Sequence, residues 1–482
     1  MTRTSLVWWV DAIVALIGAS LATACAVGPR YAPPHMAVPP AYKEQPFMDS
    51  DLLQPAEARD QRPKDGWWEL FGDARLNDLE AQLLRDNPVL AESEARFQQA
   101  RALVRQNRAG YFPLVTNTTS ITRTLPGANT RANLPTGALT EYDLGAGVSW
   151  EPDLWGRVRQ SVASGTASAQ AAAGDLAGAR LSLSAELAAD YFQLLSLDAE
   201  LDLFERTIDA YDRAVTLTRN QYDAGIVARA DVEQANTQAA SARAQAIDVR
   251  LQRAQVEHAI AVLMGRPPAS VSLPPALLAG EPPRVPAGLP SRLLEQRPDV
   301  AAAERRVAAA NAQVGVASAA FFPTITLDGS GGFQATRLQQ WLSWPTRFWS
   351  VGPALALTLF DGGARRAAKA GAVASYDETV AAYRETVLAA FQDVEDNLAA
   401  ERLLRDEAER QQAAVAAAQR ALDISLNQYR AGTVSYLQVA TQQTALLTNQ
   451  RTALSVTARQ FVAAVQLVRA LGGGWSGAVR PN

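Results

Sequence analysis

Cysteine and histidine, the side chains that most often bind transition metals, are scarce in this chain of 482 residues. It has one cysteine, Cys25, and two histidines, His35 and His258. A single cysteine cannot form a disulfide within the chain, and this count excludes a zinc site built from cysteine and histidine. We therefore expect neither a metal centre nor a resident cofactor.

Acidic pairs and phosphate-binding loops give no stronger sign of catalysis. Glu395 and Asp396 are adjacent carboxylates, but they lie among other charged residues of a predicted helix, where a solvated face is the usual role. The sequence contains no Gly-x-x-x-x-Gly-Lys loop to cradle nucleotide phosphates, and Asp361-Gly362-Gly363 follows a predicted strand as a turn. The chain is therefore not expected to be an enzyme.

Composition favours long helices and argues against nucleic acid as a partner. The formal net charge is −4 and the basic residues form no concentrated block, so the chain lacks the basic patch of a nucleic-acid-binding protein. Alanine is abundant, and only 7% of the residues are aromatic. Such a composition suits long, closely packed helices better than thick globular cores.

The first 24 residues have the features of an export signal. Arg3 supplies a positive start, residues 12–17 are nearly all apolar, and small residues lead to Cys25. The apolar run is too short to span a bilayer, which favours a cleaved signal. A small-residue run that ends at a cysteine resembles the bacterial lipoprotein signal, in which that cysteine is lipidated. An ordinary secretory signal is the alternative, because Ala22 replaces the usual leucine and Asp11 interrupts the apolar run.

Two matching stretches organise the rest of the chain. Residues 220–227 and 427–434 share the pattern Asn-Gln-Tyr-x-Ala-Gly-x-Val and lie 207 residues apart, since 427 − 220 = 207. In both, the glycine (Gly225 and Gly432) comes where a long helical pattern stops, as expected of a C-terminal cap in the left-handed conformation. The sequence therefore predicts two long helical hairpins with matching tips.

The helices that lead to these tips carry a heptad pattern. From about residue 157 to 222 no proline occurs, and at 1.5 Å per residue such a helix is roughly 100 Å long. Apolar residues recur every seven positions from Leu194 to Tyr222, which predicts lengthwise packing on partner helices. In the second copy Glu401 interrupts the equivalent pattern, so looser packing or exposure to water is expected there. The other predicted helices cover about residues 75–109, 229–264, 291–320, 366–430 and 435–471.

Four stretches are predicted to be strands, and two of them have a clear two-residue period. In residues 142–150 and 324–333 apolar side chains alternate with polar or small ones. Together with stretches at about 112–124 and 348–359, each spans roughly ten residues, the length that a tilted strand needs to cross a bilayer. Pro353 within the fourth stretch predicts a bulge or a sheet edge. A small soluble sheet is the alternative.

Four strands cannot close a barrel by themselves. The smallest membrane barrels have about eight strands, and an open sheet edge is not tolerated in lipid. If these strands cross a membrane, two or three copies of the chain must pool theirs into eight or twelve.

A series of short motifs in a fixed order gives the chain a resemblance to a known family. The motifs are residues 25–31 (CAVGPRY), 66–73 (GWWELFGD), 149–157 (SWEPDLWGR), 294–300 (LEQRPDV), 321–323 (FFP), 359–363 (LFDGG) and the two tips. Over essentially the whole mature chain it resembles the TolC-like outer-membrane efflux factors, specifically the OprM/NodT-type lipoproteins.

The resemblance implies a mainly α fold with membrane β: a duplicated repeat of long coiled helical hairpins, with four strands contributed to a trimeric twelve-stranded barrel. It implies a homotrimer in the outer membrane, anchored by a lipid on Cys25 and in contact with outer-membrane lipid, with a tunnel into the periplasm. Its partners would be a periplasmic membrane-fusion adaptor and an inner-membrane transporter of the resistance-nodulation-division (RND) type.

The resemblance also places a gate at the helical tips, which close the tunnel until the adaptor engages. The tip residues of this chain that match are Tyr222, Asp223, Gly225, Tyr429, Arg430 and Gly432. Tyr429 and Arg430 are expected to hold neighbouring helices shut through hydrogen bonds and charge-assisted contacts. For the tyrosines, plain heptad packing is the alternative.

One departure from the family pattern affects this gate. Family members often have a leucine followed four residues later by an aspartate, whereas this chain has Leu437 and then Thr441. Three threonines cannot concentrate cations as three carboxylates would, so cation-dependent blocking is not expected. Asp231 is a candidate for that charge, although a role at the N-cap or first turn of a helix is the alternative.

The expected function is a passive duct that exports small molecules such as drugs. A duct for type I protein secretion and a structural coiled-coil tether of the envelope are the alternatives. The predicted organisation is a signal peptide (1–24), a lipid-anchored proline-rich arm (25–64), a first repeat (65–266), a proline-rich linker (267–290), a second repeat (291–474) and a C-terminal tail (475–482).

Overall fold

The computed structural model of the chain describes residues 27–44, 66–125, 137–278, 280–285 and 296–474. The predicted signal peptide, Cys25 and the C-terminal tail lie outside these residues. The chain divides into two compact units. The first consists of Met1–His35, Phe97–Ala172 and Ala303–Tyr383, and the second of Met36–Arg96, Ala173–Ala302 and Arg384–Asn482.

The helices of the two predicted repeats match in length. The long helices α3 and α6 have 67 residues each, and the helices that follow them, α4 and α7, have 35 each. Within the described residues, no helix combines the length and the apolar character needed to cross a bilayer. The described helices are α1 (Ala74–Asp86), α2 (Pro88–Ala109), α3 (Arg157–Asp223), α4 (Arg229–Leu263), α5 (Pro298–Ala319), α6 (Ala364–Arg430) and α7 (Tyr436–Ala470).

The helix predicted for residues 75–109 is two helices. Between α1 and α2, Asn87 is extended (φ −69°, ψ 123°), because the residue before a proline disfavours the helical conformation. The Asn87 side chain accepts hydrogen bonds of 2.8 and 3.1 Å from the first N–H groups of α2 and caps that helix. Likewise, α5 begins at Pro298, and the predicted start near residue 291 lies outside the described residues. Both prolines occupy the first turn of a helix, where their missing N–H costs nothing.

The predicted heptad seam of α3 is buried in the second unit. Leu197, Phe204 and Tyr211 are at most 3% exposed and pack against small residues of α4, including Ala239 and Ala242. Alanine allows the helix axes to approach closely, so a long contact forms with few large side chains. The predicted lengthwise packing is confirmed.

The equivalent seam of α6 continues through Glu401. The side chain of Glu401 is only 14% exposed and accepts a hydrogen bond of 3.3 Å from Arg405, one turn later. The expectation that this position faces water is therefore wrong, because the ion pair allows the carboxylate to be largely buried. Burial raises the pKa of Glu401, and the charge of Arg405 opposes that rise.

The first unit contains a four-stranded antiparallel sheet. Its strands are β1 (Leu114–Thr124), β2 (Leu139–Trp150), β3 (Thr324–Ala335) and β4 (Arg347–Ala356), in the order β1-β2-β3-β4. All four predicted strands are present, although β4 stops at Ala356, three residues before its predicted end. Pro353 lies opposite Leu327 in an edge strand, where a residue without an N–H is tolerated.

Candidate functional site

Both helical hairpins turn through a glycine in the left-handed conformation. At the first tip Gly225 has a φ of 72°, and the N–H of Ile226 donates to the carbonyl of Gln221 at 2.8 Å. The second tip repeats this geometry at Gly432, also with φ 72°, and its equivalent hydrogen bond is 3.0 Å. A Cβ would contact nothing at either glycine, so the backbone conformation rather than the space requires glycine. The predicted helix caps are confirmed.

Tyr429 lies inside the second hairpin. It is 3% exposed, and its ring lies edge-on to that of Tyr436, with centroids 5.5 Å apart and planes at 69°. Leu422 and Val439 belong to the same apolar cluster. The hydroxyl of Tyr429 is buried and has no hydrogen-bond partner in the described part of the chain. Burial raises the pKa of Tyr429 to about 12, with electrostatic contributions from the Asp231 carboxylate and the Tyr436 phenol group.

Tyr436 begins α7 and is the aromatic partner that sequence reasoning missed. It is 1% exposed, and its hydroxyl donates to Gln443 Oε1, one heptad later, at 3.2 Å. A comparison of the two tips could have found it: the position 207 residues earlier is Arg229, so only the second copy has an aromatic residue there. The first copy lacks this ring, and Tyr222 is 42% exposed where its counterpart Tyr429 is buried.

The remaining predicted gate residues lie on the surface of the single chain. Arg430 and Asp223 are exposed, and the side chain of Arg430 forms no ion pair within the described residues. Leu437 is 60% exposed. Thr441 is exposed as well, and its hydroxyl donates to the Leu437 carbonyl at 2.9 Å. These side chains are free to contact another copy or another protein.

Asp231 occupies the first turn of α4 and is half-buried. Its backbone N–H donates to the carbonyl of Ala228 at 3.0 Å, and a carboxylate at this position interacts favourably with the positive end of the helix dipole. The first-turn interpretation of Asp231 is thus confirmed. The N-cap residue itself is Ala228, which supplies no side-chain hydrogen bond.

The sheet of the first unit has one apolar face and one polar face. On the apolar face Leu327, Val148 and Val351 are 40–75% exposed. Soluble proteins rarely expose a contiguous apolar surface of this kind to water. On the polar face Asp328 accepts hydrogen bonds from Ser149 (2.7 Å) and Thr326 (2.9 Å). Strands that separate lipid from an aqueous lumen have this alternation.

A family model described as outer membrane efflux protein matches residues 79–266 and 289–473. These two segments cover both tips and all four strands. The chain belongs to the outer membrane efflux protein family. As a family member it is an outer-membrane efflux channel, which confirms the predicted location and the interpretation that the chain is not an enzyme.

Curated relatives and the solved structures of similar proteins agree with the match. The antibiotic efflux pump outer membrane protein ArpC of Pseudomonas putida is 32% identical over 94% of this chain and 93% of its own. The toluene efflux pump outer membrane protein TtgC of the same species is 31% identical over the same shares. The structure of the outer-membrane channel OprN superimposes with a TM-score of 0.86 at 32% identity, over 94% of this chain and 100% of that one.

Proposed function

We propose that this efflux channel is the passive, trimeric duct of a tripartite efflux system. Three copies would close one barrel of twelve strands in the outer membrane, and their long helices would form a tunnel through the periplasm. The observation that carries the proposal is the sheet, whose two edge strands have no partner strand among the described residues of a single chain.

The cost of bare edges in lipid supports assembly. The edge strands β1 and β4 have 11 and 10 residues, and about half of their N–H and C=O groups point away from the sheet. Each unsatisfied backbone group in the hydrocarbon region costs several kcal/mol. Pairing β1 of one copy with β4 of the next satisfies these groups. Three copies of four strands give twelve.

An energised partner must drive transport through such a duct, because the sequence contains no nucleotide-binding loop. We assign this role to an inner-membrane RND transporter, joined to the channel by a periplasmic membrane-fusion adaptor. ArpC and TtgC are named for antibiotics and toluene, which supports small molecules as the exported substrates. Export requires all three components under this proposal.

Complementation tests the proposed transport. In a strain that lacks its own outer-membrane efflux channel, this chain, produced with its cognate adaptor and pump, should restore resistance to efflux substrates. The chain produced without the pump should restore none. Resistance conferred by the channel alone would contradict a passive duct, and no resistance with either combination would reject the assignment of small-molecule export.

The tips are the proposed gate, and Arg430 is the residue best placed to act between copies, since it is exposed and unpaired in the described part of the chain. We expect Tyr429→Phe combined with Arg430→Ala to raise single-channel conductance in planar bilayers. Arg420→Ala, which removes an exposed charge ten residues earlier on α6, is the control and should leave conductance unchanged. Unchanged conductance in the double variant would reject both residues as latches.

A lipid on Cys25 is the proposed anchor of the mature N-terminus. Acyl chains add membrane affinity without a transmembrane helix. Mass spectrometry of the mature N-terminal peptide should show an acylated cysteine, and Cys25→Ser should abolish the modification. An unmodified Cys25 peptide from outer membranes would indicate an ordinary secretory signal.

A further inference from the structure

The charged residues of the sheet are divided completely between its two faces. The four strands contain five charged residues, and the ladder pairings place Arg123 and Arg347 on one face and Glu141, Asp143 and Asp328 on the other. Directly paired residues share a face, and Arg347 pairs with Phe333, which pairs with Leu144. Cations therefore share the apolar face, and anions share the polar face.

Both arginines lie at the same end of the sheet. Arg123 is the penultimate residue of β1 and Arg347 the first residue of β4, so both lie at the end where the strands are joined by loops. The opposite strand ends connect to the helices α2, α3, α5 and α6. In the proposed barrel, which this inference requires, the apolar face meets lipid and the loop end meets the outer leaflet.

The connection between β3 and β4 adds a further arginine and exposed apolar side chains at the loop end of the sheet. We call Arg337, Leu338, Leu342, Trp344 and Arg347 the loop-end patch. The guanidinium of Arg347 lies 4.0 Å from the centre of the Trp344 ring, a cation–π contact. Leu338, Leu342 and Trp344 are 59–73% exposed. A single short segment thus presents two cations among three exposed apolar side chains.

A ring contact fixes this segment against the apolar face. Trp341 packs on Tyr142 of β2 with ring centres 5.6 Å apart, and Tyr142 shares the face of Arg347. Neither Arg337 nor Arg347 pairs with a carboxylate among the described residues. Both guanidinium groups therefore have free donors at the level of the sheet where hydrocarbon gives way to headgroups.

We infer that the loop-end patch binds the phosphorylated headgroup of an outer-leaflet lipid. Guanidinium matches phosphate through two parallel N–H···O bonds. Tryptophan and aliphatic side chains suit the boundary between headgroups and acyl chains, and the arginine stems reach from apolar surface to polar headgroups. A soluble anion would use the two cations but would leave the exposed leucines and Trp344 without a role, which favours a lipid.

Lipid titration of the purified full-length channel in detergent tests this inference, with native mass spectrometry to count bound lipids. The probe is diphosphorylated lipid A, compared with its dephosphorylated form. The double variant R337Q/R347Q should bind diphosphorylated lipid A about tenfold more weakly than the parent, since charge-assisted hydrogen bonds are lost. The parent should bind the dephosphorylated form as weakly as the variant binds the phosphorylated one.

The control variant is R96Q/R206Q, which removes two exposed arginines from α2 and α3 and should retain parental affinity. Equal binding by the parent and R337Q/R347Q would overturn the inference, as would equal affinity for both forms of lipid A. If inorganic phosphate alone displaced lipid A from the patch, the site would be assigned to free phosphate and the inference of a lipid site would be wrong. Conductance in planar bilayers distinguishes a failure of the proposed barrel from a failure of the loop-end patch. A parent that forms no channel would contradict the barrel, whereas an R337Q/R347Q variant that conducts but does not bind lipid A would support the patch.

Discussion

At the scale of single residues, Glu80 in α1 occupies an environment that opposes its charge. It is fully buried, and neither carboxylate oxygen has a hydrogen-bond partner in the described part of the chain. Burial raises the pKa of Glu80 to about 8, and the nearby Ser184 hydroxyl opposes the rise only in part. At neutral pH the side chain is therefore mostly a neutral acid.

The pH dependence of stability follows from this raised pKa. In the unfolded chain Glu80 titrates near its ordinary value, about 4.3, so between that pH and about 8 the folded state binds a proton that the unfolded state does not. The stabilising contribution is complete below the unfolded pKa and is lost as pH rises through about 8. Each unit of difference corresponds to about 1.4 kcal/mol.

Glu80→Gln removes the titration and keeps the size of the side chain. The variant is expected to melt at a higher temperature than the parent at pH 8.5, with a smaller difference at pH 5.5, in thermal unfolding of the detergent-solubilised protein. Glu92→Gln changes an exposed acid of α2 in the same way and should have little effect at either pH. A difference between Glu80→Gln and the parent that does not vary with pH would contradict a neutral buried acid.

The residue scale is also where sequence reasoning reaches its limit. Tyr222 and Tyr429 occupy equivalent positions of a near-identical motif, yet one is exposed and the other buried. The difference comes from Tyr436, which packs on Tyr429 and has Arg229 as its counterpart. The burial of Glu80 is equally hidden, because a glutamate in an amphipathic helix is normally placed on the solvated side.

At the scale of elements, the two tip glycines determine how each long helix ends. Gly225→Ala and Gly432→Ala each force an L side chain to a φ of 72° and are expected to destabilise the protein by about 1 kcal/mol, although space is available. The checking measurement is the midpoint of thermal unfolding in detergent.

Asparagine provides the matched control at both tips. It tolerates the left-handed conformation better than alanine, so Gly225→Asn and Gly432→Asn should lower the melting temperature less than the alanine variants do. If the alanine and asparagine variants lowered the melting temperature equally, the added side chain rather than the left-handed backbone conformation would be responsible. The capping explanation would then be wrong.

Elements with a strong period were predictable, and breaks within them were less so. The heptads of α3 and the alternation in β2 and β3 identified those elements, because burial on one side of a helix or strand imposes its period on the sequence. The break at Asn87 was missed because proline is compatible both with a loop and with the first turn of a new helix. Looser packing or exposure to water was expected at Glu401, and its burial could not be predicted because the pairing with Arg405 depends on rotamers that periodicity does not specify.

At the scale of the whole molecule, the edge strands of the sheet need hydrogen-bond partners in lipid, and this need predicts an assembly of several copies. Alternation in β2 and β3, with two further stretches of similar length, predicts four strands of bilayer length. Among the described residues, the ladder β1-β2-β3-β4 leaves β1 and β4 with free edges in one chain. The number of copies does not follow from the pattern, since two or three copies would both satisfy the edges. Family resemblance favours three.

Thiol cross-linking of the two sheet edges tests this assembly most directly. Thr118→Cys on β1 and Ser350→Cys on β4 lie on the same face and are separated within one chain by more than three strand spacings, which is more than about 14 Å. A bismaleimide too short to join them within a chain should, in native outer membranes, give covalent dimers and trimers and nothing larger. The single-cysteine variants control for Cys25. Monomers alone, or a series that ends at two copies or continues beyond three, would contradict a trimer that closes one barrel.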